Sequence, residues 1–236
     1  VEPGRARVRV WDLISGREAF PVEAVEGDPI LFCVAISHDG RHLVAAGQDG
    51  KLRVWAATNG RKIGVLGEHA REINSIRFSP DGRHLASASS DGVRIWDATR
   101  LEELQNNPRV LQVGRAEIAD VLVFTPDSAQ LVVGGLLRSA TIWDVHTGQQ
   151  VGTIEGRSRS VLAIAFSPDG RWLASAGADC TIKVWDARTF ELRHTFRGHQ
   201  GNITRLAFVR RPDGPCLVSG SRDQTVKFWD MKLLEQ

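Results

Sequence analysis

Tryptophan closes a strand-like run at Trp11, Trp55, Trp96, Trp143, Trp185 and Trp229, at intervals of 44, 41, 47, 42 and 44 residues, and four of the last five are followed by Asp. A second marker keeps the same step. ISHDGRHL begins at Ile36, FSPDGRHL at Phe78, FTPDSAQL at Phe124, FSPDGRWL at Phe166 and FVRRPDGPCL at Phe208. A unit of this length recurring five times restricts the chain to architectures in which one supersecondary element stacks on copies of itself.

Within the unit the pattern has period two. VLAIAFS (Val161–Ser167) is nearly all apolar and predicts an inner strand buried on both faces, whereas RWLASAG (Arg171–Gly177) and TIKVWD (Thr181–Asp186) alternate more visibly. The Ser-Pro-Asp-Gly between the first two is a turn: Pro presets φ, Asp bonds back to the backbone, and Gly accepts a positive φ. DGK, DCT and DQT mark the next tight turn, and SGREAFPVEA, NGRKIGVLG and TGQQVGTIEG predict a further strand after a Gly-containing turn. Each unit is thus a meander of four antiparallel strands, and helices are nearly absent. The exception is TRLEELQNNP (Thr99–Pro108), a polar insertion predicted to form one helical turn before Pro108 stops it.

Composition narrows the function classes. The chain has 236 residues, 42% hydrophobic and 25% charged, ordinary for a globular protein. Thirty basic residues against 28 acidic ones leave a net charge of +2 without a block of either sign, so neither nucleic acid nor a membrane is expected as a partner. Cys33, Cys180 and Cys216 lack CxxC spacing and are odd in number, which predicts reduced, mostly buried thiols. No apolar run approaches the roughly 18 residues of a membrane span. The start VEPGRARVRV lacks a signal-peptide pattern, and the expected location is the cytoplasm. Met231 is the single methionine, so the stretch reads as an excised piece or processed product, with an export signal ahead of it left open.

Four-stranded units of this period with Gly-His and Trp-Asp signatures resemble the WD-repeat family, and the FSPDGR phrasing resembles its bacterial members. The resemblance covers essentially the whole chain. It implies an all-β fold, a β-propeller of four-stranded blades with strands a, b and c from the centre outward and d on the rim. The units are approximately 1–24 (partial), 25–66, 67–114, 115–156, 157–197 and 198–236: five full blades plus a half blade, in a single domain. The family's buried tetrad maps onto His199, Ser219, Asp223 and Trp229, and again onto His69, Ser87, Asp91 and Trp96. The other units keep less: Arg157, Ser175, Asp179 and Trp185 retain three members, and Gly27, Ala45, Asp49 and Trp55 retain two. In the remaining unit Arg115, Val133 and Leu137 accompany Trp143, so only Trp survives, and that blade is expected to rely on apolar packing.

A Ser, a His and an Asp close together invite a hydrolase reading, but GxSxG is absent and the set recurs, which one active site would not need. His38, His42 and His84 fall in or beside a–b turns, with Trp172 at the place equivalent to the last two, too sparse for a metal site. There is no GxxxxGK[ST] or dinucleotide fingerprint, and no cofactor is expected.

The favoured function is a non-catalytic platform for a protein or peptide. By the resemblance, its top-face contacts are Ile30, Phe32 and Gln48; Glu72, Asn74 and Ser90; Ile118, Asp120 and Leu136; Ser160, Leu162 and Ala178; Asn202, Thr204 and Arg222. Phe32, Ile118, Leu136 and Arg222 are the strongest of these, because exposed aromatic, aliphatic and Arg groups dominate binding hot spots. The alternative is a regulatory propeller appended to a signalling enzyme such as a bacterial serine/threonine kinase. A propeller that is itself a hydrolase or lyase lacks the convergent acids and histidines it would need. RVRVWD (Arg7–Asp12) is already a strand c, so two strands c compete to close one ring. The chain is therefore expected to be a segment of a longer propeller that self-associates through open blade edges when isolated. The other possibility is a small ring in which 18–24 pairs with 225–229.

Overall fold

A computed structural model describes residues 8–23, 25, 27, 29–104, 108–111, 119–136, 139–155, 160–211 and 214–234. The chain forms two compact units, Val1–Ala116 and Glu117–Gln236.

The first unit opens with a two-stranded sheet of β1 (Val10–Trp11) and β2 (Glu18–Phe20), in which Val10 faces Phe20. Two four-stranded antiparallel sheets follow. One is ordered β3 (Leu31–Ile36), β4 (His42–Gly47), β5 (Lys51–Ala56), β6 (Lys62–Glu68). The other is β7 (Ile73–Phe78), β8 (His84–Ser89), β9 (Gly92–Asp97), β10 (Arg109–Leu111). In the second unit β11 (Ala119–Phe124), β12 (Gln130–Gly135), β13 (Ala140–Asp144) and β14 (Gln150–Ile154) form one such sheet. β15 (Val161–Phe166), β16 (Trp172–Gly177), β17 (Thr181–Asp186) and β18 (Leu192–Arg197) form another. The last sheet has three strands, β19 (Ile203–Arg211), β20 (Gly214–Ser221) and β21 (Val226–Asp230). Four of the sheets are the four-stranded meanders the sequence predicts, beside a two-stranded half blade and, among the described residues, a last sheet of three strands. Within the first unit β2 takes β1 as its partner, and within the second unit β21 pairs with β20.

Each sheet packs on the next within its unit, and the contact is apolar. Val44, Ala46, Leu52 and Val54 of one sheet meet Ile73, Ile76, Leu85 and Trp96 of its neighbour. In the second unit Ala163, Ala174, Ala176, Ile182 and Val184 meet Ile203, Leu217 and Met231. Small residues on the b strands keep the sheets close, and the larger c-strand side chains fill the widening space between them.

The expectation that strand a is the most buried needs correction. β15 is buried only at Val161 and Ala163 and half-buried at its other four positions, whereas β16 is buried at every position. β15 is an edge strand with one lateral neighbour; β16 is flanked on both sides by β15 and β17. Position in the sheet outweighs the hydrophobicity of the run.

The turns take the predicted form. In the first full blade the Ser37 hydroxyl donates to Asp39 Oδ1 at 2.5 Å and accepts from the His42 N–H at 2.9 Å, while the Gly40 N–H closes the turn on the Ser37 carbonyl. Ser79 with Asp81, Thr125 with Asp127, and Ser167 with Asp169 repeat the arrangement. The predicted helical turn is a 3-10 segment, Ala98–Glu103, started by the Asp97 side chain accepting from the Thr99 N–H. It is not wholly polar: Ala98 and Leu101 are buried in the core of the first unit, which anchors the insertion.

Candidate functional site

Two complete polar networks are present. His69 lies in the loop before β7, and its Nδ1 is 2.5 Å from Asp91 Oδ1 while its Nε2 is 2.7 Å from Ser87 Oγ. The Trp96 indole N–H donates to the same Ser87 oxygen at 2.9 Å, and the Ala70 N–H donates to Asp91 Oδ2 at 2.7 Å. This pattern fixes the tautomer. With Nδ1–H donating to the carboxylate, Nε2 accepts from the serine hydroxyl, whose lone pairs take the indole proton. Burial pushes the His69 pKa below its ordinary value, outweighing the pull of Asp91, so the imidazole is neutral. Burial pushes Asp91 up, but the Ala70 N–H and His69 together bring it below the ordinary carboxylate range.

The last blade repeats the geometry. His199 Nδ1 is 2.7 Å from Asp223 Oδ2 and its Nε2 is 2.7 Å from Ser219 Oγ, which accepts the Trp229 indole N–H at 2.8 Å. The Thr225 hydroxyl donates to Asp223 at 2.6 Å; with the Gln200 N–H and His199 it holds that carboxyl far below its usual range against the opposing effect of burial.

Neither network is a catalytic triad. Both histidine side chains are fully buried, and each serine hydroxyl is committed between imidazole and indole. Among the described residues no group of three or more His, Cys, Asp or Glu could hold a metal ion.

The incomplete units solve the same problem differently. In the β15–β18 sheet the Trp185 indole donates to Ser175 at 2.8 Å and Asp179 accepts from the Thr181 backbone and hydroxyl; Arg157 lies outside the described residues. In the β3–β6 sheet the Arg53 guanidinium grips Asp49 with both nitrogens, and the Trp55 indole donates to the Glu23 carbonyl at 3.2 Å. In the β11–β14 sheet the Trp143 indole donates to the Thr141 hydroxyl at 2.8 Å, so a polar partner survives where only apolar packing is expected from the sequence. Arg53 and Thr141 were missed, although the signal was visible. Both stand two residues before the strand-c Trp, at the position of Arg94, Lys183 and Lys227. Arg94 reaches Asp91 and the Glu68 carbonyl, and Lys227 reaches the Gly198 carbonyl at 2.7 Å.

The expected contact positions gather at the end of each sheet where strand a begins and strand b ends. The Gln48 N–H donates to the Ile30 carbonyl, the Ala178 N–H to the Ser160 carbonyl and the Arg222 N–H to the Asn202 carbonyl. The Ser160 hydroxyl also donates to the Leu136 carbonyl at 3.0 Å, joining two blades of the second unit. Glycine makes two of these approaches possible: a Cβ on Gly47 would overlap the Ile30 carbonyl, and one on Gly177 the Ser160 carbonyl. Ile30, Gln48, Glu72, Leu136 and Arg222 are exposed; Asn74, Ser90, Asp120, Ser160, Leu162, Ala178, Asn202 and Thr204 are half-buried. Phe32 is exposed too, but it lines a groove along β3 together with Val34 and Ile36. Ile118 lies outside the described residues.

The thiols are unpaired with one another. Cys216 is buried and the other two half-buried, with burial raising the Cys33 thiol to about 11. No helix among the described residues is long and apolar enough to cross a membrane.

Comparison with known proteins agrees with this geometry. The chain is 31% identical over 127 residues to the mouse periodic tryptophan protein 2 homolog, covering 53% of this chain and 13% of that protein. It is 26% identical over 155 residues to Drosophila protein groucho (63% and 20%), and 32% identical over 148 residues to Arabidopsis actin-interacting protein 1-2 (56% and 23%). It thus spans less than a quarter of the length of each of these relatives. The family model described as "WD domain, G-beta repeat" matches residues 23–56, 60–97, 148–186 and 190–230, the blades that carry an Asp in the b–c turn, and passes over the β11–β13 region where Leu137 replaces it. These matches take in more than half of the chain, and each ends with strand c of a blade just described: the chain belongs to the WD40 family, whose fold serves generically as a non-catalytic interaction scaffold.

Proposed function

We propose that this chain binds a protein or peptide partner through the sheet ends that carry Ile30, Gln48, Glu72, Leu136 and Arg222, with no chemistry of its own. One observation carries the reading. In three sheets the residue just before strand a and the residue just after strand b are clamped together by a backbone hydrogen bond, so these three blades present their variable side chains from a rigid base. The Arg222 guanidinium is a side-chain type enriched at hot spots, and the exposed Ile30 and Leu136 add apolar area that a partner would bury. The name of the actin-interacting relative is in keeping with a protein as the class of partner.

The test is affinity capture on parent, Leu136→Ala and Arg222→Ala chains, with captured proteins quantified side by side. At least one partner held by the parent is expected to be lost or weakened by about tenfold or more in a variant whose melting midpoint is unchanged. Identical capture by all three chains would remove these sheet ends from the binding surface.

A further inference from the structure

Strand a of each blade runs from the sheet ends described above to the a–b turn, and at that turn the crevice between two consecutive blades differs between the units. In the first unit the chain covers it itself. After β9 the backbone passes into the 3-10 segment Ala98–Glu103, and this segment reaches the blade before its own. Glu102 Oε1 lies 3.4 Å from His42 Nε2 at the start of β4, and a Cβ on Gly64 of β6 would run into the Leu104 side chain. Leu101 is buried in the core together with Ala98, against which Phe78 also packs.

The second unit has the same walls without that cover. Ala187 takes the place of Ala98, its N–H donating to the Arg171 carbonyl as that of Ala98 donates to the Arg83 carbonyl. From there the chain turns straight back into β18, with the Asp186 N–H on the Glu191 carbonyl. Phe190 in this short turn packs on the cluster of Ile142, Leu173 and Trp185, beside Ala187 and Phe166, much as Leu101 packs beside Ala98 and Phe78. What stays open is a pocket of about 340 Å³ between the a–b turn at 125–130 and Phe166, Gly170, Ala187 and Arg188. Gln130 opens its strand b as His42 opens β4, so the open space adjoins the residue equivalent to the one that Glu102 meets in the first unit.

The walls suit a carboxylate. The exposed Arg188 guanidinium pairs with no carboxylate among the described residues, and the half-buried Gln130 amide has two N–H donors to offer. Pro126, Phe166 and Ala187 give the methylenes of a long acid an apolar bed. Asp127 carries the opposite sign, but its Oδ1 already accepts from the Thr125 hydroxyl and the Ala129 N–H within its own turn. We propose that this pocket is a docking site for an acidic peptide segment of a protein partner, in which a glutamate sets its carboxylate between Gln130 and Arg188 as Glu102 sets its own against His42. The site lies at the other end of the strands from Ile30, Leu136 and Arg222, and shares no residue with the surface they form.

The experiment titrates the full isotope-labelled chain with an end-capped peptide copying residues 97–104 and follows the backbone amide resonances. Saturable shifts are expected at residues 125–130, Gly170, Ala187 and Arg188. Arg188→Ala should raise the dissociation constant by about threefold or more, and a probe carrying Glu102→Gln and Glu103→Gln should bind the parent more weakly by a similar factor. Arg188 is exposed, so its substitution leaves the melting midpoint close to unchanged. No saturable shift at millimolar probe would overturn the proposal, as would shifts confined to the His42 crevice or the sheet ends, or binding indifferent to the loss of either charge. Tighter binding of a probe carrying Glu102→Lys and Glu103→Lys would give the pocket to a cation through Asp127 and overturn it equally.

Discussion

The β7–β10 and β11–β14 blades hold the same buried tryptophan by opposite means. In the first, Trp96 donates to a serine that is itself held by a histidine, whose ring leans on Asp91, so four residues from a loop, a turn and two strands form one connected chain. In the second, Trp143 donates to Thr141 two residues earlier on its own strand, and nothing outside strand c is needed. The difference teaches what the network does. An indole N–H at a blade interface must find an acceptor because an unmet donor there costs about 1–3 kcal/mol. One hydroxyl meets that need; the longer network adds a tie between the loop before strand a, strand b and the b–c turn. The position two before Trp changes with it: Arg94 reaches Asp91 in one blade, and a hydroxyl replaces the cation where the sequence has Leu137 in place of the Asp.

The largest effect is expected from breaking the longer network. Asp91→Ala strips His69 of its acceptor in a buried site and should cost about 2–3 kcal/mol in chemical denaturation. Asp223→Ala is expected to destabilise in the same direction. Thr141→Val removes one acceptor and should cost less, about 1–2 kcal/mol. If the Thr141 variant lost as much as the Asp91 variant, the four-membered network would add nothing beyond satisfying its indole.

Acid should separate the two blades as well. The folded pKa of His69 lies below its ordinary 6.5, so the unfolded chain takes up that proton first and the stability linked to His69 falls as pH drops below 6.5. Asp91, also lowered, keeps its contribution above the ordinary 3.8 and loses it as pH falls through the folded value. Melting midpoints measured from pH 7.5 to 5 should therefore decline more steeply for the parent than for His69→Gln, while Thr141→Val follows the parent's slope. Parallel slopes for parent and His69→Gln would mean that the imidazole is not held neutral.

The smallest effect is expected at a turn. Gln224 adopts φ 66° where the first full blade has Gly50 at 72°. Gln224→Gly should relieve the left-handed strain and raise stability by up to about 1 kcal/mol, a gain readable as a higher midpoint. A drop would show that the side chain contributes more than its backbone conformation costs.

Much of this was legible in the sequence because it depended on periodicity and turn chemistry. The Trp spacing and the Ser-Pro-Asp-Gly turns marked the blades, and the His, Ser, Asp and Trp that recur in two repeats stand in hydrogen-bonded networks. Strand a was misjudged because VLAIAFS displays hydrophobicity but not lateral neighbours: an apolar run at a sheet edge keeps one side open. Arg53 and Thr141 escaped notice because a single polar residue in an alternating strand reads as solvent-facing. Only the recurrence of that position across five blades shows that it faces the polar network. The exposed Val34 and Ile36 lay beyond sequence patterning altogether, since their equivalents are apolar and covered in other blades.

The claim that ties these regions together is that the polar networks hold the blades while the sheet ends do the binding. Its most direct test is the affinity of one captured partner for parent, Asp91→Ala and Arg222→Ala chains at a temperature where all three are folded. The account predicts that Asp91→Ala, although less stable, binds as the parent does, and that Arg222→Ala, although as stable as the parent, binds about tenfold or more weakly. The reverse, with binding lost at Asp91 and kept at Arg222, would contradict it.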